Sequence, residues 1–173
     1  MRAHPVDLRR TRIIVRAGTA GMNSKSQLME LTLLVSADHI FIHQCLDSYR
    51  TLQSDASPTE KNAAVEQIKH VIGKKLLEHF ALEDQRVFPA FEAAYPTGNI
   101  PQIIAKLREE HDTMRGLMQP LIEMLSTPNS DPLANQNINR ALIGFFIKFR
   151  EHAVREDDLF AELSEMPDVT TAS

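Results

Sequence analysis

An all-α, up-down-up-down four-helix bundle is the fold this sequence predicts, and three observations predict it. Four long stretches carry apolar side chains three and four residues apart, the period of a helix that buries one face. Turn-forming segments separate them at 54–58, 95–101 and 126–137. With only 6 Gly in 173 residues and no alternating apolar and polar runs, nothing reads as sheet.

The first helix is expected either after Ser24, with Gln27 three residues on as a capping box, or from Ser36, because 28–35 is apolar nearly all round. It should run to about Ser54 and bury Leu28, Leu31, Val35, His39, Ile42, Leu46 and Tyr49. Ser57-Pro58-Thr59-Glu60 is a strong start for the second helix, with Pro at the first helical position and Glu at the third. Its buried stripe reads Val65, Ile68, Ile72, Leu76, His79 and Glu83, and Pro89 should kink or end it. The third helix has the cleanest seam: Ile104, Leu107, His111, Met114, Met118, Leu121 and Leu125, with a bend expected at Pro120. After the polar linker 126–137 the fourth repeats the pattern with Ile138, Leu142, Phe145, Phe149, His152, Glu156, Leu159 and Leu163. Short to moderate loops between four amphipathic helices make them antiparallel neighbours around one core.

Length and 43% hydrophobic content suit one domain with a proper core. The formal charge of −4 argues against nucleic acid as a partner, and no apolar run is long enough to cross a bilayer, so a soluble, cytoplasmic protein is expected. One cysteine, Cys45, excludes an internal disulfide framework and any thiolate-only metal site. Residues 1–21 hold five arginines and one acid, leaving 14 basic and 22 acidic residues in the rest. We read residues 1–23 as a basic flexible segment: a disordered tail, an organellar presequence, or leader upstream of a start at Met22. The bundle is assigned to 24–166 and a frayed tail to 167–173.

One seven-residue pattern recurs. Glu78-His79-Phe80-Ala81-Leu82-Glu83-Asp84 returns as Glu151-His152-Ala153-Val154-Arg155-Glu156-Asp157. Each copy sets a carboxylate four residues after a histidine, so both side chains leave the same helix face one turn apart. A lone histidine precedes each copy by a similar interval: His39 stands 40 residues before His79, and His111 stands 41 before His152.

These polar residues fall on the buried stripes. His39, His79, Glu83, His111, His152 and Glu156 would converge at one level of the core, and burying even one unpaired carboxylate costs several kcal/mol. A bound cation resolves that cost. Imidazole and carboxylate together suit iron, manganese, zinc or copper rather than calcium. Six donors are too many for one tetrahedral ion. Four imidazoles, two bridging carboxylates and an oxo or hydroxo bridge instead fill about ten of the roughly twelve positions around an octahedral pair. An acid also precedes each of the four histidines (Asp38, Glu78, Glu110, Glu151). These can accept a ring N–H from a neighbouring helix or simply lie on the solvated surface.

At these residues the sequence resembles the hemerythrin superfamily, in the bacterial order His, His-x-x-x-Glu, His, His-x-x-x-Glu, over about 28–165. The resemblance implies a hemerythrin-like bundle holding a non-haem di-iron centre. The two iron ions would be oxo- or hydroxo-bridged, with His39, His79, Glu83, His111, His152 and Glu156 as ligands and the two glutamates bridging. Two departures stand out. Oxygen-carrying hemerythrins have His-x-x-x-His on the third ligand helix, where this chain has Arg115 four after His111 and Leu107 four before it. Their last carboxylate lies five after its histidine, where this chain has Asp157 beside Glu156; helical phase and symmetry with Glu83 favour Glu156. His43, four after His39, is either a fifth imidazole or an ordinary neighbour of the site, while His4 and His70 read as surface. The resemblance implies a binding protein for O2 or NO, for sensing, scavenging or delivery, with an unidentified electron donor and a possible homodimer. The alternative is a di-iron protein that repairs damaged iron-sulfur clusters or reduces NO.

Overall fold

The structure is a computed structural model and describes residues 24–52, 56–127 and 135–165. The predicted segments 1–23 and 167–173 lie outside the described residues, as do 53–55 and 128–134. Among the described residues there is no strand, and the helices form the four rods that the periodicity predicts.

Helix α1 is Ser24–Arg50. It starts at the earlier of the two predicted points, so the apolar 28–35 stretch belongs to it. Its C-terminal end comes before Ser54 because the last turn tightens: Leu52 N–H bonds the Tyr49 carbonyl, three residues back, at 3.2 Å. Leu31 departs from the predicted stripe. It is half-buried, and Thr32 beside it is buried, with its hydroxyl donating to the Met29 carbonyl at 3.0 Å.

Helix α2 is one continuous rod in five pieces: Pro58–His70, a wide turn at Val71–Lys75, Leu76–Leu82, a second wide turn at Glu83–Val87, and Phe88–Ala94. Ser57 caps it as predicted, its hydroxyl accepting from Glu60 N–H while the Glu60 carboxylate accepts from Ser57 N–H. The wide turns are π-helical: Leu76 N–H bonds the Val71 carbonyl and Phe88 N–H bonds the Glu83 carbonyl, each five residues back. Of the two effects expected of Pro89, ending the helix does not occur, and the rod continues to Ala94. Pro89 sits exposed just past the second wide turn, at the start of the last α-helical piece, where proline is tolerated.

The chain reverses at 95–99, where Gly98 takes φ +84°, a left-handed conformation that favours glycine. Helix α3, Ile100–Leu125, runs through Pro120 and buries every residue of its predicted seam. Helix α4, Gln136–Glu165, buries its stripe through Leu159, while Leu163 lies outside the described side chains. Consecutive helices pack against each other and α1 closes the ring with α4.

Two apolar clusters fill the interior. One joins Ile42, Leu46, Ile72, Met118, Leu142 and Phe149 with their neighbours, and the other joins Leu28, Val35, Phe88, Phe91, Ile104 and Leu159 with theirs. Between them lies a polar layer in which His79, Glu83, His111, His152 and Glu156 are 0% exposed and His39 is 3% exposed.

Candidate metal centre

Spacing on the helices delivers all six donors to that layer. The four-residue step from His79 to Glu83 on α2, and from His152 to Glu156 on α4, stacks imidazole over carboxylate, while α1 and α3 each add one histidine from across the core. The donor atoms form two sets, His39, His79, Glu83 and Glu156 on one side and Glu83, His111, His152 and Glu156 on the other. Within each set the donor atoms all lie within 4.8 Å of one another. Both glutamates belong to both sets. Glu83 spans them directly, with Oε1 3.1 Å from His79 Nε2 and Oε2 3.0 Å from His111 Nε2. Glu156 Oε2 lies 3.1 Å from His39 Nε2 and 3.3 Å from His152 Nε2.

Every one of these histidines turns Nε2 inward and Nδ1 toward a carboxylate on another helix. His39 Nδ1 meets Asp157 at 3.3 Å, His111 Nδ1 meets Asp84 at 3.0 Å and His152 Nδ1 meets Glu110 at 2.9 Å. His79 Nδ1 faces Asp38 at 3.7 Å, an ion-pair separation. An Nδ1–H donated outward orients each ring so that Nε2 can serve a cation at the centre. The inward atoms crowd together: His111 Nε2 lies 2.9 Å from His152 Nε2. Both Glu83 oxygens, Glu156 Oε1 and His79 Nε2 are buried without any hydrogen bond. Buried donor atoms gathered this closely, several of them without a partner, are the arrangement a cation resolves. The donor set therefore fits a pair of metal ions.

The electrostatics carry the same strain. Burial, then the neighbouring Glu156, pushes Glu83 well above the usual carboxylate range. Burial also opposes charge on Glu156, but hydrogen bonds from His152 and His39 outweigh it and hold that carboxyl well below the usual range. Burial, then His152, pushes His111 down to about 4, which leaves it neutral at pH 7 and available as a ligand.

The structure separates residues that sequence spacing left open. Glu156 is in the centre, whereas the Asp157 side chain is 53% exposed and serves His39 from outside. His43 belongs to neither donor set; its ring packs on Phe149 at 5.4 Å and lines a groove of about 320 Å³ between α1 and α4. Of the four acids that precede histidines, Glu110 accepts from His152 on a neighbouring helix and Asp38 faces His79 at ion-pair separation. Glu78 and Glu151 are on the exposed surface, and their places are taken by Asp84 and Asp157. Antiparallel packing explains the swap. On α1 and α3 the residue before the histidine faces the next helix, whereas on the reversed α2 and α4 the residue after the glutamate does so. The repeated Glu-Asp pair was the sequence signal for it.

The family described as the hemerythrin HHE cation binding domain matches residues 32–163. No curated protein and no solved structure matches the chain. A match over most of the chain, on a bundle whose core gathers two buried sets of imidazole and carboxylate donors, places this protein in the hemerythrin HHE cation binding domain family.

Proposed function

We propose that the chain is a non-haem di-iron protein that binds a small diatomic ligand, O2 or NO, for sensing, scavenging or delivery. The observation that carries this reading is the sharing of Glu83 and Glu156 between two four-donor sets, which divides six side chains into two equivalent-sized sites. His39 and His79 would hold one ion, His111 and His152 the other, and the two glutamates would bridge them. Nitrogen and oxygen donors in near-equal number suit iron, and Cys45 lies outside both sets. Two bound irons would supply reversible one-electron chemistry and a coordination position for a diatomic ligand. The chain's part is to keep that position dry and apolar. Phe80 stacks on His111 at 4.3 Å, Phe88 at 5.6 Å, and Phe149 stands 5.9 Å from His39, so solvent is excluded on several sides.

The test is anaerobic reduction of the iron-loaded chain followed by titration with O2 and then with NO, watched by absorbance. A charge-transfer band that appears with either ligand and disappears when the ligand is removed supports the reading. Irreversible oxidation with turnover of NO would contradict a binding role and favour NO reduction.

A further inference from the structure

Four carboxylates back the four imidazoles, but they are not backed alike in turn. Lys75 Nζ reaches Asp38 at 2.7 Å, Arg155 reaches Glu110 at 2.9 Å, and Arg115 closes tightly on Asp84 while also bonding Asp112 at 3.1 Å. Each of these cations comes from the same helix as the histidine it supports, three or four residues away. On α1 the corresponding position, four past His39, is His43. Among the described residues Asp157 meets the Ser36 hydroxyl at 3.5 Å and feels the charge of His43, but no lysine or arginine pairs with it. Three relays of histidine, carboxylate and cation are complete, and the fourth ends in solvent.

Ring packing singles out His111. His111 lies between Phe80 and Phe88, nearly parallel to both, at interplanar angles of 28° and 23°. Arg115 covers the Phe80 ring at 5.5 Å and Arg108 covers Phe88 at 5.7 Å, so two guanidinium groups, two phenyl rings and the imidazole form one stack. Arg108 is itself fixed by both oxygens of Glu92, at 2.6 and 3.0 Å. His39, by contrast, touches Phe149 and His79 only edge-on. Arg115 thus holds His111 twice, through Asp84 on its ring nitrogen and through Phe80 on its ring face.

We propose that the two metal positions are built unequally, with Arg115 and Arg155 acting as positioning residues that make the site between His111 and His152 the tighter of the two. The inference rests on the two-metal reading above. A carboxylate pinned by a guanidinium fixes the ring's orientation before metal arrives, so less freedom is lost on binding. His39 has no lysine or arginine behind its carboxylate, His79 meets its own only at 3.7 Å, and neither ring is stacked, so the ion between them is held more weakly. Arg115 therefore contributes to the site through Asp84 and Phe80 without being a ligand.

The experiment is anaerobic titration of the metal-free full chain with Co2+, followed by its visible absorption, with helix content checked by circular dichroism. Two ions should bind in two resolved steps, the first lost in His111→Ala and the second in His39→Ala. Arg115→Gln should weaken the first step by about tenfold or more and leave the second within about twofold, and Arg155→Gln should act in the same sense. Arg115→Lys, which keeps the charge, should restore part of the loss. Two ions bound with equal affinity, or an Arg115→Gln effect spread equally over both steps, would overturn the inequality while leaving the two-metal reading intact. Failure to bind a second ion at any concentration would overturn the two-metal reading itself.

Discussion

Glu156 and Asp157 are adjacent in sequence and opposite in circumstance, one wholly enclosed between His39 and His152, the other half in solvent against the outer face of His39. Glu156→Gln should therefore abolish binding of both ions, because it removes a donor common to both sets. Asp157→Asn should keep two ions per chain with affinity lowered by about tenfold. Metal analysis of the two variants after dialysis separates the roles. His111 gives a pH prediction for the metal-free chain. Its folded pKa of about 4 lies below the ordinary value, so between about 6.5 and 4 the unfolded chain takes a proton that the folded chain refuses. Stability of the metal-free protein should fall as pH drops through that window, read as a falling urea midpoint, and His111→Ala should flatten the slope. The six inner residues were legible in the sequence because each interrupts an apolar stripe. The outer acids were only half legible, since position relative to a histidine points to a different neighbour on helices of opposite direction.

Helix α2 shows where periodicity was informative and where it was not. Ile68, Ile72, Leu76 and Phe80 follow one another at steps of four, and each step overshoots a full turn by about 40°. Three such steps would carry Phe80 off the core face. The wide turn at Val71–Lys75 takes up that drift, and the second at Glu83–Val87 lets Val87, Phe88 and Phe91 pack below the polar layer despite Pro89. The uniform four-residue step was the visible sign of wide turns, and a plain helical reading passed over it. At the start of α2 the local chemistry was read correctly. Removing the Ser57 cap with Ser57→Ala should cost about 1 kcal/mol in a denaturant titration. Gly98→Ala, at φ +84°, should cost about 1 kcal/mol through backbone strain. Neither change should alter metal content, since both lie at loops away from the layer.

The bundle as a whole holds two apolar clusters apart with a layer of six buried polar side chains, an arrangement that stores an electrostatic cost in the metal-free fold. Metal should repay it, so loading must raise the thermal midpoint; free metal at a hundred times Kd adds about 2.7 kcal/mol per site. Among the described residues no helix is long and apolar enough to cross a membrane. The central claim is that six donors from four helices hold two cations at one level, and metal analysis of the intact chain tests it most directly. Protein purified from iron-replete cells should carry two irons per chain. A preparation that carries one tightly held zinc and no iron under those conditions would contradict the account.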